Sequence, residues 1–362
     1  MAEPVASAFK RLIHPAYKAL ETKARVLRYL FVEITQRCNL SCLHCGSDCT
    51  RDARLEELTP EEWRRFFEYL PRKFDRREVL VVVTGGEPFC APGFDDILGS
   101  LKQNGLAWGM VTNGFTLTEA NVHKVVAHGI ASMTISLDGL RRSHDWLRGR
   151  EGSFERALAG IRQVVATGPA NFDVVTCVNP RNLGELDALL ALLREAGVLA
   201  WRLFCIFPKG RARQNAELKL SDDQLRELFA WMAKRRRELA GTGFALNFGC
   251  EGYLPPRWDR AVRDEPYFCR AGINIASVLC DGAIGACPNI TRTLVQGNIR
   301  ADDFKDVWEN RFQKFVDRRW MKTGQCASCG EFRRCRGNSL HLSDDEAQRT
   351  VLHEPGFRRA AA

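Results

Sequence analysis

The sequence predicts an α/β protein in which six βα units build a parallel sheet and a small cysteine-rich module follows them. From Leu27 to Pro208, short β-branched segments alternate with helix-length amphipathic segments. Seven of the 14 cysteines lie between Cys250 and Cys335, where the predicted elements become shorter. The 362 residues, 45% of them hydrophobic, fit two or perhaps three folded domains and exclude disorder for most of the chain.

Each predicted strand is followed by a predicted helix, and capping residues mark two of the helix starts. Thr59 precedes Pro60 at the first helical position, and Ser221 with Gln224 forms a capping box. The predicted strands are 29–35, 78–84, 107–112, 132–137, 172–178 and 201–207. The predicted helices are 61–70, 95–103, 119–128, 153–166, 183–195 and 222–239.

Polar and glycine-containing loops come directly after four of these strands. They cover residues 35–38, 84–88, 112–114 and 136–139. Because parallel α/β folds bind ligands at the carboxyl ends of their strands, we expect the four loops to converge on one site.

The charge and hydropathy patterns exclude several classes of protein. The net charge of +9 is a mild excess, and the basic run 234–237 is typical of a solvated helix face, so we expect no nucleic-acid partner. The apolar segments have strand length, well below the ~20 residues of a bilayer span, and the N-terminal segment lacks the features of a secretory signal. We therefore predict a cytoplasmic protein without a membrane partner, whose many cysteines serve as metal ligands rather than disulfides.

Cys38, Cys42 and Cys45 form a C-x-x-x-C-x-x-C motif just after the first predicted strand. A structural zinc site needs four protein ligands, whereas a 4Fe-4S cluster held by three cysteines keeps one iron open for a substrate or cofactor. Cys49 is a candidate fourth ligand, so a zinc site remains the alternative.

This motif, together with Gly85-Gly86-Glu87-Pro88 about 40 residues downstream, resembles the radical S-adenosylmethionine (SAM) superfamily. The segment from Ser136 to Glu155 is similar to the members of that family that carry C-terminal SPASM or twitch extensions. The resemblance implies a partial (β/α)6 TIM-like barrel, a 4Fe-4S cluster on the three cysteines, and SAM as a cofactor. It assigns SAM contacts to His44, Gly85, Gly86, Glu87, Pro88, Asn113, Ser136, Asp138 and Arg202, with a structural ion pair as the alternative for Arg202.

The cysteine-rich module resembles a SPASM domain, which in its full form binds two auxiliary 4Fe-4S clusters. The resemblance assigns Cys269 and Cys287, with either Cys250 or Cys280, to one cluster, and Cys326, Cys329 and Cys335 to another. Ser339 stands where the family often has a further cysteine, so we expect one or two auxiliary clusters, with His341 or His353 as candidate non-cysteine ligands. Zinc at the C-x-x-C segment and structural thiols at Cys250 and Cys280 are the alternatives.

These features divide the chain into five predicted parts. They are an N-terminal helical extension (1–27), a radical SAM core (28–215), a linker helix (216–245), a SPASM-like domain (246–343) and a tail (344–362).

The resemblance implies an enzyme that cleaves SAM to methionine and a 5′-deoxyadenosyl radical, which abstracts hydrogen from a substrate. A peptide or protein side chain undergoing crosslinking, oxidation or epimerisation is the first substrate hypothesis, and Cys205 is a candidate hydrogen donor, with burial in the barrel wall as its alternative. The expected partners are the substrate, a separate leader-binding protein, and a low-potential electron donor such as flavodoxin or ferredoxin. Maturation of a small-molecule cofactor such as a tetrapyrrole and a non-enzymatic zinc or iron-sulfur scaffold or sensor are the alternatives.

Overall fold

The structure is a computed structural model, and it describes residues 2–169, 171–207, 209–249 and 252–342. The predicted tail, 344–362, lies outside the described residues. In the described part of the chain, no helix combines the length and the apolar character that a bilayer crossing requires.

Six parallel strands form the centre of one sheet and lie side by side in chain order. They are β1 (Tyr29–Glu33), β2 (Leu80–Thr84), β3 (Ala107–Thr112), β4 (Ser132–Ser136), β5 (Asn171–Val178) and β6 (Ala200–Cys205). Each strand overlaps its predicted counterpart, and helices separate them, so the predicted βα alternation is confirmed.

The sheet continues on both sides of this centre with strands that the sequence did not reveal. On one side β7 (Ala245–Phe248) pairs in parallel with β6. On the other side β8 (Ile275–Val278) pairs in parallel with β1 and forms an antiparallel pair with β9 (Ala283–Gly285), which in turn pairs with β10 (Gly297–Asn298). The cysteine-rich part of the chain therefore extends the same ten-stranded sheet.

Twelve α-helices occur in the described residues, and the predicted N-cap Thr59 and the predicted capping box of Ser221 with Gln224 are both present. Thr59 also forms a capping box with Glu62, which was not predicted. The helices are α1 (Ala2–Ala24), α2 (Pro60–Lys73), α3 (Phe94–Gln103), α4 (Glu119–Ala127), α5 (Arg141–Arg148), α6 (Ser153–Thr167), α7 (Leu186–Glu195), α8 (Asp222–Leu239), α9 (Pro256–Val262), α10 (Phe304–Asp306), α11 (Gln313–Val316) and α12 (Phe332–Cys335). Helix α5 was not predicted, because it is short and polar and its N-cap residue, Leu140, makes no side-chain hydrogen bond.

The core lies between the strands and the helices that pack on them. Leu30 and Val32 of β1 are fully buried, as are Val81 and Val83 of β2, and Trp63 of α2 is also fully buried. Since this packing fixes the strands, it also fixes the loops that leave their carboxyl ends.

Candidate active site

A cavity of about 210 Å³, which we call the thiol cavity, lies where the loops after β1, β2, β3, β5 and β6 meet. Its lining includes Cys38, Cys42, His44, Cys45, Cys49, Gly85, Gly86, Asn113, Arg148, Cys177, Cys205, Arg211 and Asn289. Three of the four loops expected to converge contribute lining residues here.

The three motif cysteines are held by contacts between distant parts of the chain. Arg211 donates from Nε to the Cys42 carbonyl at 2.7 Å and from Nη1 to the Cys49 carbonyl at 2.8 Å. The Cys49 N–H lies 3.4 Å from the Cys45 sulfur, and a hydrogen bond from the Cys49 side chain lowers the pKa of Cys45 to about 6. The three motif thiols line one space and fit a 4Fe-4S cluster with an open iron, while Cys49 lines the same space and is hydrogen-bonded to Cys45.

Gly85 and Gly86 let two loops approach each other at the backbone. A Cβ at Gly85 would lie 2.5 Å from the Thr35 carbonyl oxygen, and one at Gly86 would lie 2.3 Å from the Arg37 carbonyl oxygen. The Gly86 N–H also donates to Thr35 at 2.8 Å. Only glycine fits at these two positions, so the segment does more than form a tight turn.

Glu87 lies fully buried behind the cavity and holds the next loop in place. Its carboxylate accepts hydrogen bonds from the Thr112 hydroxyl at 2.7 Å and from the Asn113 N–H at 2.8 Å, while burial raises the pKa of Glu87 to about 7. The Asn113 amide then donates to Asn39 at 2.8 Å and lies 3.9 Å from the Cys38 sulfur. Glu87 therefore positions Asn113, and Pro88 starts a buried 3-10 turn beside it.

A buried ion pair lies next to Cys42. Arg148, at the end of α5, contacts Asp138 at 2.6 Å and places a second guanidinium nitrogen 3.8 Å from the Cys42 sulfur. Burial acts to raise the pKa of Asp138, but the charge of Arg148 keeps that pKa below its ordinary value. His44 lies 3.8 Å from Asp138, and burial lowers the pKa of His44 to about 4, which keeps the ring neutral. The site thus offers a fixed cation beside one of the three motif thiols.

Five of the nine residues predicted to contact SAM do not line the thiol cavity: Glu87, Pro88, Ser136, Asp138 and Arg202. The Arg202 guanidinium pairs with Asp173 and donates to the Thr134 hydroxyl at 3.2 Å, which favours the ion-pair alternative, and its contact with SAM stays a prediction. Ser136 is partly buried at the end of β4, and its contact with SAM stays a prediction.

Two cavity thiols come from the neighbouring strands β5 and β6. Cys205, the candidate hydrogen donor, is buried at the end of β6 and lines the cavity. Cys177 of β5 also lines it, and its N–H donates to Asp138 at 2.7 Å. Cys177 was not assigned to the site from the sequence. Its position at the carboxyl end of a predicted strand could have placed it there.

A second cavity of about 250 Å³, which we call the basic cavity, opens between the β1 and β6 loops and the residues after β9. Its lining includes Glu33, Gln36, Gly46, Ser47, Phe207, Lys209, Arg213, Asn289, Thr291 and Arg292. Because Gly46, Ser47, Phe207 and Asn289 also line the thiol cavity, the two cavities adjoin.

The structure groups the C-terminal cysteines differently from the prediction. Cys269 and Cys335 line one small cavity with Arg318, whose guanidinium lies 3.4 Å from the Cys269 sulfur. Burial acts to raise the pKa of Cys269, but the charge of Arg318 lowers it. Cys326 and Cys329 precede α12 and interact electrostatically with Cys335, so these four thiols share one neighbourhood. This arrangement favours a place for Cys269 beside the other three thiols, and the ligands of each cluster stay a prediction.

Cys280 lies in the turn that joins β8 and β9, whereas Cys287 follows β9 at the other end of this antiparallel pair. Burial and the nearby carboxylate of Glu33 raise the pKa of Cys280. Because Cys280 and Cys287 lie at opposite ends of the pair, the structure favours a structural thiol at Cys280 over a ligand shared with Cys287. Cys250 and His353 lie outside the described residues.

His341, a candidate ligand, packs on Phe207 with a ring separation of 4.9 Å, and burial lowers the pKa of His341 to about 3. Ser339, at the position of the missing cysteine, is buried with its hydroxyl 3.1 Å from the Tyr267 hydroxyl. A buried, hydrogen-bonded serine thus occupies the position where the family often has a cysteine.

Comparisons with known proteins agree with this geometry. Residues 32–193 match the model of the radical SAM superfamily, and residues 269–330 match the SPASM model of an iron-sulfur cluster-binding domain. The AdoMet-dependent heme synthase of Methanosarcina barkeri is 29% identical over 356 residues, which cover 91% of this chain and 97% of that protein. The mycofactocin maturase MftC of Mycolicibacterium smegmatis is 30% identical over 315 residues, covering 85% of this chain and 76% of the relative.

Among solved structures, SuiB of Streptococcus suis bound to its precursor peptide SuiA matches with a TM-score of 0.67 and 18% identity. The match covers 96% of this chain and 80% of SuiB. It confirms the predicted fold class, a partial barrel with a parallel sheet followed by a SPASM domain.

Proposed function

Since the chain belongs to the radical SAM superfamily and carries a C-terminal SPASM domain, we propose that it matures a peptide or protein by radical modification of a side chain. Family membership makes it an enzyme with 4Fe-4S clusters and SAM as cofactors. The modification is a crosslink, an oxidation or an epimerisation. The proposal rests on the thiol cavity, which Cys38, Cys42 and Cys45 line. This cavity adjoins the basic cavity, which has room for a substrate group.

Different residues of the thiol cavity bind the cluster and SAM. Cys38, Cys42 and Cys45 hold the 4Fe-4S cluster, and Gly85 and Gly86, which line the same cavity without side chains, let SAM approach the backbone. When bound, cluster and cofactor supply the one-electron cleavage of a sulfonium and a 5′-deoxyadenosyl radical for hydrogen abstraction.

The chain's other groups orient the cofactor and screen it from water. Asn113, held by Glu87, presents an amide beside Cys38, and Arg148 keeps a positive charge beside Cys42. Phe207 lines both cavities where they meet. Cys205, buried in the thiol cavity, is placed to return a hydrogen atom in an epimerisation.

A tetrapyrrole is the second candidate substrate. The similarity to an AdoMet-dependent heme synthase over 91% of this chain and 97% of that relative favours it. The peptide hypothesis draws on the similarity to a mycofactocin maturase, which covers 76% of the relative.

The proposed partners follow from this chemistry. A flavodoxin or ferredoxin supplies the electron, and a peptide substrate is delivered with a separate leader-binding protein. A reducing compartment such as the cytoplasm suits a chain with 14 cysteines.

The proposal is tested with anaerobically reconstituted enzyme, SAM and a low-potential reductant. One reaction contains the small peptides encoded beside the gene, and a parallel reaction contains iron coproporphyrin III. We expect 5′-deoxyadenosine together with a peptide whose mass changes by about two hydrogens in an oxidation or crosslink, or with an α-proton exchanged from solvent in an epimerisation. A changed porphyrin with unchanged peptides would transfer the proposal to the second substrate, and a lack of SAM cleavage would refute both.

A further inference from the structure

The basic cavity has a charge pattern that points to one class of chemical group. Among the described residues that line it, Lys209, Arg213 and Arg292 are cations and Glu33 is the acid. Neutral hydrogen-bonding side chains, Gln36, Ser47, Asn289 and Thr291, make up most of the remaining polar lining. Arginine side chains bind carboxylates through two parallel hydrogen bonds.

Two of these cations are tied to the loop that carries the cluster-binding cysteines. Lys209 and Arg213 flank Arg211, whose N–H donates to the Cys45 carbonyl at 3.0 Å and whose side chain reaches Cys42. Lys209 is 9% exposed, and its N–H donates to the Phe207 carbonyl at 2.8 Å. The backbone that carries these two cations is therefore fixed relative to the thiol cavity, while the Arg213 side chain is exposed.

The third cation comes from the C-terminal part of the chain. Arg292 begins a 3-10 turn and pairs with Asp281, which lies in the turn between β8 and β9. The ion pair with Asp281 orients the Arg292 guanidinium. Glu33, at the end of β1, also lines the cavity and is only 6% exposed. Cations from two separate segments thus face one space.

We propose that the basic cavity binds a carboxylate of the substrate through Arg213, Arg292 and Lys209 and so presents the neighbouring carbon to the thiol cavity. This inference rests on the proposed function and names the chemical class of the substrate. A tetrapyrrole side chain and the end or an acidic residue of a peptide are two sources of the same group. The lining that the two cavities share at Ser47, Phe207 and Asn289 places the bound carboxylate next to the SAM site.

Binding is measured by titration of the anaerobically reconstituted enzyme with two pairs of probes. The first pair is coproporphyrin III and its tetraamide, followed by absorbance. The second is a precursor-like peptide with free carboxylates and the same peptide with all of its carboxylates amidated, followed by calorimetry. We expect at least one acid to bind about tenfold more tightly than its amide, with a preference that weakens as salt is added.

The variants Arg213→Ala and Arg292→Gln should each raise the Kd of that acid about tenfold and leave the Kd of the amide unchanged, while Arg213→Lys restores part of the affinity. Arg77→Ala, which removes an exposed arginine outside both cavities, is the charge-matched control and should leave both Kd values unchanged. Iron content reports whether each variant folds.

The pair of probes in which the acid binds more tightly than its amide, porphyrin or peptide, identifies the source of the carboxylate. Equal affinity for acid and amide in both arms, or equal effects of Arg213→Ala and Arg77→Ala, would overturn the proposal. That failure is separable from failure of the proposed function, because SAM cleavage is measured on the same samples.

Discussion

The N–H of Asn113 donates to the buried carboxylate of Glu87 at 2.8 Å, although the two residues lie on loops after different strands. This hydrogen bond joins the Gly85-Gly86 loop to the side chain that lies beside Cys38. The buried Glu87 side chain therefore fixes the part of the site that is expected to bind SAM.

Replacing Glu87 by alanine should weaken SAM binding without releasing the metal. The Asn113 N–H would lose its buried acceptor, and its side chain would lose its fixed orientation beside Cys38. We expect the Kd of SAM to rise about tenfold, the equivalent of about 1.4 kcal/mol, while the iron content stays unchanged. Equilibrium binding to the reconstituted enzyme measures the effect, and a proportional loss of iron would contradict it.

Glu87 should also make stability depend on pH. Burial raises its pKa from 4.5 to about 7, so between these pH values the folded protein retains a proton that the unfolded chain has released. The contribution is favourable below pH 4.5 and is lost as the pH rises through 7, by a total of about 3 kcal/mol. Urea unfolding of the cofactor-free protein from pH 5 to 8 measures it, and the slope should flatten in Glu87→Gln. Identical slopes would contradict this account.

The buried pair of Arg148 and Asp138 should be sensitive to removal of one partner. Arg148→Met leaves the Asp138 charge buried without its cation and should lower the free energy of unfolding by about 3–5 kcal/mol. Adding Asp138→Asn should recover part of the loss. Arg77→Ala, which breaks an exposed pair with Asp75, is the control and should leave the urea midpoint unchanged. Equal effects of Arg148→Met and Arg77→Ala would argue against a structural role for the buried pair.

The grouping of the C-terminal thiols is testable in a protein that lacks Cys38, Cys42 and Cys45, where the remaining iron reports the SPASM domain. Since Cys269 adjoins Cys335, Cys269→Ala should remove most of that iron. Cys280→Ala should leave the iron content unchanged, because Cys280 lies beside Glu33 instead. Iron analysis and electron paramagnetic resonance of the two variants decide this, and an equal loss of iron in Cys280→Ala and Cys269→Ala would restore the predicted grouping of Cys269, Cys280 and Cys287.

Local patterns in the sequence predicted the features that single segments encode. The three cysteines follow β1 within one loop, and Gly85-Gly86 follows β2, so spacing and strand position were enough to place them. Their juxtaposition followed from the rule that parallel strands gather their carboxyl-end loops.

Features that depend on contacts between distant segments could not be predicted in this way. Arg211 reaches the Cys42 carbonyl across 169 positions, and Asn289 enters the cavity from the segment that follows β9. Arg202 lies in the expected strand, but its ion pair with Asp173 depends on the packing of β6 against β5. Short strands such as β10 carry too few residues for a recognisable alternation.

The central claim is that Cys38, Cys42 and Cys45 alone hold a cluster with an open iron that receives SAM. The most direct test is the formation of 5′-deoxyadenosine by anaerobically reconstituted enzyme under strong reductant, comparing Cys42→Ala with Cys49→Ala. We predict that Cys49→Ala retains the cluster and cleaves SAM, whereas Cys42→Ala does neither at this site. Bound zinc in place of iron, or loss of cleavage in Cys49→Ala to the same degree as in Cys42→Ala, would contradict the claim.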